Sequence, residues 1–247
     1  MSDAFTHLPH LRDRLTPAEQ SDLRVTPEVL AFWDERAQEL GRGPDWRLSD
    51  QELEATRLAM LGDHDPAEDL WIYSYGSLMW DPGFHFEEVR LAELPGYHRR
   101  FSYRTTIGRG TTERPALMLA LEPGPGSCRG LVFRIAAARA QIESAVVWRR
   151  EMIRGGYRPI FLSVATPQGE VTALAFASNP SHADHVGELP ITETAAMIAR
   201  ATGILGTNRQ YLTLVTTQLE CLGIEDDYLR RLAQQVENIA APAIDEA

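Results

Sequence analysis

Only two of the 247 residues are cysteine, Cys128 and Cys221, and they stand far apart. That spacing excludes a disulfide framework and a zinc knuckle, leaving two buried or idle thiols. Long apolar runs are missing as well. No stretch approaches the ~20 continuous apolar residues needed to cross a bilayer. The opening Met1-Ser2-Asp3-Ala4-Phe5 has no basic region ahead of an apolar core, so no secretory signal is expected. The cytoplasm is the expected location, and no membrane partner is expected. Positive charge is scarce: 24 basic residues face 35 acidic ones, a formal net charge of -11. Binding to a nucleic-acid backbone depends on Lys and Arg neutralising phosphates, so no nucleic-acid partner is expected. No internal repeat or low-complexity tract is visible. What is present is an ordinary globular composition, 44% hydrophobic and 24% charged, able to bury a sizeable core.

Residues 1–68 read as a polar, helical extension packing on a main domain. Thr16-Pro17-Ala18-Glu19 offers a capping threonine, a proline at the first helical position and a glutamate three residues after the cap. Thr26-Pro27-Glu28 repeats that logic, and Ser49-Asp50-Gln51-Glu52 opens a third helix running to about Leu61. From Trp71 the pattern turns to strands. Trp71–Tyr75 is short, aromatic and β-branched. Val89–Leu94 and His98–Thr106 flank a turn signal at Pro95-Gly96, and Ala116–Leu121 and Gly130–Ile135 flank Glu122–Ser127. Ile160–Thr166 and Val171–Ser178 flank Pro167-Gln168-Gly169, a hairpin signal. These connections are too short for parallel crossovers, which predicts a largely antiparallel sheet. One helix, Ala137–Arg154, interrupts the strands and stops at Gly155-Gly156. Helices over Thr192–Thr202, from the Thr207 cap to Leu222, and over Asp226–Ile239 close the chain. The domains read as 1–68 (extension), 69–240 (main domain) and 241–247 (frayed tail).

Two features have chemical potential. Tyr73-Ser74-Tyr75-Gly76-Ser77-Leu78 is a strand running into a small-residue turn. Such a turn either simply reverses the chain or leaves backbone N–H groups converging on a carboxylate or polarised carbonyl oxygen. Trp148-Arg149-Arg150-Glu151 sets a glutamate in the last turn of its helix, where the macrodipole disfavours negative charge. There Glu151 is either a surface residue paired with Arg149, Arg150 or Arg154, or a carboxyl tuned upward for proton transfer near neutral pH. The cluster His182, Asp184, His185 and Glu188 lies in a loop without helical spacing, and no metal is expected there. Gly108-Arg109-Gly110 lacks the strand-to-helix context of a phosphate loop.

Taken in order, several segments resemble the ChaC-type gamma-glutamylcyclotransferase family. They are Ile72–Trp80, Pro95-Gly96-Tyr97, Thr105–Pro115, Ala116–Gly124, Ser127–Gly130, Arg150-Glu151 with Gly155-Gly156-Tyr157, Asn208–Leu212 and Leu222–Asp226. Ser74 stands where the family usually has glycine, and the first 68 residues lie outside the pattern. The resemblance implies an α+β fold: a mixed, largely antiparallel β-barrel with flanking helices. It implies a small-molecule substrate, glutathione, cleaved to 5-oxoproline and cysteinylglycine. No cofactor is implied. Glu151 is the implied acid/base, and Tyr73, Ser74, Tyr75, Gly76, Ser77 and Leu78 the implied substrate loop. Tyr211 is the implied pocket wall, and Arg104 and Arg109 are candidates for the substrate's far carboxylate. Other gamma-glutamyl amino acids or amines as substrates, or a silent binding module, are the alternatives.

Overall fold

The computed structural model describes residues 3–240; the tail expected at 241–247 lies outside them. Two compact units emerge, one from residues up to His98 with Pro123–Ala177, the other from Arg99–Glu122 with residues from Ser178 on. In chain order the elements are α1 (Pro27–Glu39), α2 (Asp50–Leu61), β1 (Leu70–Ser74), β2 (Glu88–Thr105), β3 (Ala116–Ile135), α3 (Ala137–Glu151), β4 (Tyr157–Thr166) and β5 (Gly169–Ser178). They continue with α4 (Ile191–Arg200), β6 (Thr202–Gly203), β7 (Gly206–Thr207), α5 (Asn208–Cys221) and α6 (Asp227–Ala240). β1 to β5 form a closed barrel in the order β1-β3-β2-β4-β5, which gives the mixed α+β fold expected from the sequence. β1 pairs antiparallel with β3, Leu70 opposite Ile135 through Ser74 opposite Leu131. It pairs parallel with β5, Trp71 opposite Ala173 and Ile72 opposite Leu174.

The caps form where the sequence places them. Thr26 accepts from Val29 N, while Ser49 with Glu52 and Thr207 with Gln210 close full capping boxes. Each such cap stabilises its helix by about 1 kcal/mol. Three boundaries differ from expectation. Thr16–Glu19 begins no α-helix; a single 3-10 turn, Ala18–Gln20, is followed by extended backbone at Ser21. Thr16 N and the side chains of Ser21 and Arg24 bond to distant partners described below, and such tertiary bonds override a weak local preference. Pro95-Gly96 and Glu122–Ser127 are not turns but lie inside β2 and β3. Gly96 (φ 77°) and Gly126 (φ 91°) absorb the bend, the usual role of glycine within a long strand. Finally, α3 ends at Glu151, three residues before the expected stop.

In the first unit the core gathers Leu70, Ile72, Leu131, Phe133, Leu174 and Trp148, all essentially buried. Phe84 and Phe86 meet the Phe133 ring edge-on, and Trp148 does the same to Phe176. Aromatic burial of this kind dominates core energetics. In the second unit α4, α5 and α6 pack together around Ala195, Ile198, Val215 and Leu232. The buried Asn208 side chain acts there as a strand partner, accepting from Leu117 N and donating to Leu117 O, both at 2.8 Å. No described helix is long and apolar enough to cross a membrane.

Candidate active site

Six of the residues singled out by sequence lie along one path in the first unit. β1 delivers Tyr73 and Ser74, and the chain then turns through Tyr75 and Gly76 into a 3-10 turn, Ser77–Met79. The Tyr73 hydroxyl donates to Cys128 O at 2.7 Å and the Tyr75 hydroxyl to Phe176 O at 2.8 Å. With the two rings stacked 6.4 Å apart, both are fixed to neighbouring strands. Ser74 is wholly buried, and its hydroxyl finds no hydrogen-bond partner among the described residues. The turn closes through Met79 N to Gly76 O and Asp81 N to Ser77 O. The N–H groups of Gly76, Ser77 and Leu78 donate to no other described residue. Gly76 has φ -135°, outside the left-handed region, so it is not demanded by backbone handedness.

Glu151 is the last residue of α3, its side chain only 14% exposed. Burial pushes its carboxyl pKa up, and the Arg150 charge partly opposes this. The sequence offers Arg150 only as a partner for Glu151 and gives it no contact with the loop. Its Nε lies 3.3 Å from Glu151 Oε1 and its Nη2 donates to Ser77 Oγ at 2.8 Å. Its Nη1 donates to Asp81 O at 2.6 Å. One guanidinium, itself nearly buried, therefore ties the end of α3 to the loop after β1. The sequence signal was its position beside Glu151; its reach to Ser77, 73 residues earlier, is a tertiary fact.

Tyr211 belongs to the second unit, on α5, edge-on to Phe101 at 5.9 Å. Arg109 lies over its ring at 5.9 Å and donates to Thr207 O, and burial lowers the Arg109 pKa. Arg104 turns to Asp184 at 3.5 Å. Of the histidine–carboxylate cluster, His185 leaves the loop to meet the buried Glu122 at 2.9 Å, where Ser102 and Ser178 also donate to that carboxylate. Among the described residues no three His, Cys, Asp or Glu side chains gather so as to hold a metal ion.

A buried carboxyl of raised pKa, a cation bridging it to a loop, and unoccupied loop N–H groups together suit proton transfer beside a developing oxyanion. Known proteins resemble this chain along the same region. A family model described as ChaC-like protein matches residues 70–239. A glutathione-specific gamma-glutamylcyclotransferase of Escherichia coli (strain K12) is 38% identical over 188 residues, 76% of this chain and 80% of that protein. Glutathione-specific gamma-glutamylcyclotransferase 1 of Mus musculus is 30% identical over 181 residues, 71% of this chain and 81% of that protein. A crystal structure of a yeast gamma-glutamyl cyclotransferase specific to glutathione matches with a TM-score of 0.64 at 22% identity, covering 69% of this chain and 96% of that one. At that identity the match speaks for the fold.

Proposed function

The chain belongs to the ChaC-like family, and from that premise we propose that it is a gamma-glutamylcyclotransferase cleaving glutathione to 5-oxoproline and cysteinylglycine. The observation that carries the reading is the Arg150 guanidinium in contact with both Ser77 and Glu151, which ties an upward-tuned carboxyl to a loop with unused N–H donors. The relatives described as acting on glutathione support that substrate.

The reaction joins the substrate's alpha-nitrogen to its own gamma-carbonyl carbon and breaks the bond from that carbon to the cysteinyl nitrogen. Both reacting groups sit in one molecule, so the main task is to hold the bent conformer. Tyr73, Ser74, Tyr75, Gly76, Ser77 and Leu78 form the gamma-glutamyl subsite in this reading. The Gly76, Ser77 and Leu78 N–H groups support the negative charge that grows on the gamma-carbonyl oxygen. Glu151, ionised, takes a proton from the attacking amine and returns it to the leaving cysteinyl nitrogen, so it ends as it began. A raised pKa makes it a better base for that first step. Tyr211 enters through the family resemblance alone. No cofactor and no nucleic-acid or membrane partner enters the reading. A cytoplasmic setting belongs to the same reading.

The test is a substrate panel on the purified chain: glutathione, gamma-glutamyl amino acids and gamma-glutamylamines, with 5-oxoproline quantified in each. Preference for glutathione with equimolar cysteinylglycine supports the proposal. Turnover of the other compounds in its place moves the specificity to them, and a silent panel with folded protein favours a binding module.

A further inference from the structure

Residues 16–24 lie ahead of the family-matched region and are bonded to the stretch that follows the substrate loop. Thr16 N donates to Trp80 O at 2.9 Å. Ser21 Oγ donates to the Asp81 carboxylate at 2.6 Å. Arg24 Nη1 donates to Gly83 O at 3.0 Å, and its guanidinium holds the buried Glu143 of α3 through two bonds of 2.7 and 3.1 Å. The stretch Trp80–Gly83 is thus gripped at three of its four residues by one short segment. Its remaining carbonyls point to Arg150: Asp81 O accepts at 2.6 Å and Pro82 O at 3.5 Å. Gly83 shows how tightly these parts meet. With φ 69°, a Cβ there would lie 3.0 Å from Leu23 O and 3.3 Å from Arg150 Nη1. The neighbouring N-terminal chain also holds the other side of the α3 terminus. Val25 O accepts from Arg149 at 3.4 Å, and Leu48 N donates to Ile153 O at 2.9 Å.

We infer that Thr16–Arg24 is a positioning strap: it fixes the Asp81 and Pro82 carbonyls that seat Arg150, and through Arg150 it sets Ser77 and Glu151 for the reaction. The inference rests on the functional reading above. Arg150 has two fixed acceptors on the strapped stretch and two partners in the candidate site, so a shift of the stretch moves the cation relative to both. Asp81 is the link, its side chain held by Ser21 and its carbonyl by Arg150. Arg24 is the anchor. A bidentate pair with a buried carboxylate has strict geometry, and its loss would leave Glu143 uncompensated. The charged group set against Glu151 is Arg150, so its placement also governs the carboxyl's proton affinity.

Because Arg24→Gln alone endangers folding, the test uses Ser21→Ala, which removes one strap bond, and Gly83→Ala, which pushes toward Arg150. Two readouts are taken on the full chain. In the first, the Glu151 carboxyl is titrated by NMR after carbon-13 glutamate labelling, its signal assigned by its loss in Glu151→Gln. The strap predicts a midpoint moved to higher pH in both variants, with no further move when Ser21→Ala is added to Arg150→Gln. The second is glutathione turnover, with a predicted kcat loss of about tenfold, little change in KM and the acid limb of the pH profile displaced upward. An unmoved Glu151 titration, or effects that add in full to those of Arg150→Gln, overturns the strap. A wild-type chain that releases no 5-oxoproline overturns the functional reading instead, while the titration still decides the strap.

Discussion

Arg150 donates from Nη2 to the Ser77 hydroxyl at 2.8 Å, while the same guanidinium reaches Glu151 through Nε. Its charge favours the ionised carboxylate, against the burial that disfavours it. Replacing Arg150 by Gln removes that opposition. The acid limb of kcat against pH then moves to higher pH, and turnover at neutral pH falls more than turnover at pH 9. A pH–rate series on both proteins checks this; an unmoved limb separates Arg150 from Glu151.

Glu151→Gln also bears on stability, with a defined sign. A carboxyl whose folded pKa is raised binds its proton more tightly folded than unfolded, so the fold gains as pH drops and loses as pH rises through the folded pKa. The variant has no charge to bury. Its melting temperature is therefore predicted to exceed wild type at pH 8, with the gap closing toward pH ~4. Thermal melts across that range measure it, and a wild-type protein more stable than the variant at pH 8 contradicts it.

Ser74 buries a hydroxyl without a partner among the described residues. An unsatisfied buried polar group costs about 1–3 kcal/mol. Ser74→Ala should raise unfolding stability by about 1 kcal/mol, seen as a higher urea midpoint at unchanged slope. A lower midpoint would mean that the hydroxyl is satisfied.

At Gly130 the obstacle is backbone. A Cβ there would lie 2.2 Å from Ser74 O, on the strand that leads into the loop. No flexible side chain can yield, so Gly130→Ala forces β1 and β3 apart at a cost of roughly 1–3 kcal/mol or more. Urea unfolding reads the loss, and 5-oxoproline release should fall with it. Unchanged values in both would show that the strands adjust freely.

How far the sequence disclosed this molecule follows from the range of the interactions involved. The caps at Thr26, Ser49 and Thr207 are contacts within three residues, and all three are legible. The hairpin at Gly169 is equally local, with Thr166 Oγ1 donating to Gly169 O. Pro95-Gly96 and Glu122–Ser127 misled because the local turn signal is identical whether a chain reverses or a long strand bends; barrel pairing decides. The loop over residues 73–78 and Glu151 stand out by ordered resemblance more than by local physics. The reach of Arg150 to Ser77 and the bonds of Ser21 and Arg24 were opaque because those partners lie 60 to 119 residues away. No periodicity or spacing encodes such pairings.

The most direct measurement is release of 5-oxoproline and cysteinylglycine from reduced glutathione by the wild-type chain and Glu151→Gln side by side. The account predicts equal moles of both products from wild type and a loss of ~10²- to 10⁴-fold in the folded variant, the usual contribution of general acid/base catalysis. Near-normal turnover by the variant would remove Glu151 from the chemistry, and no product from the folded wild type would contradict the account at its root.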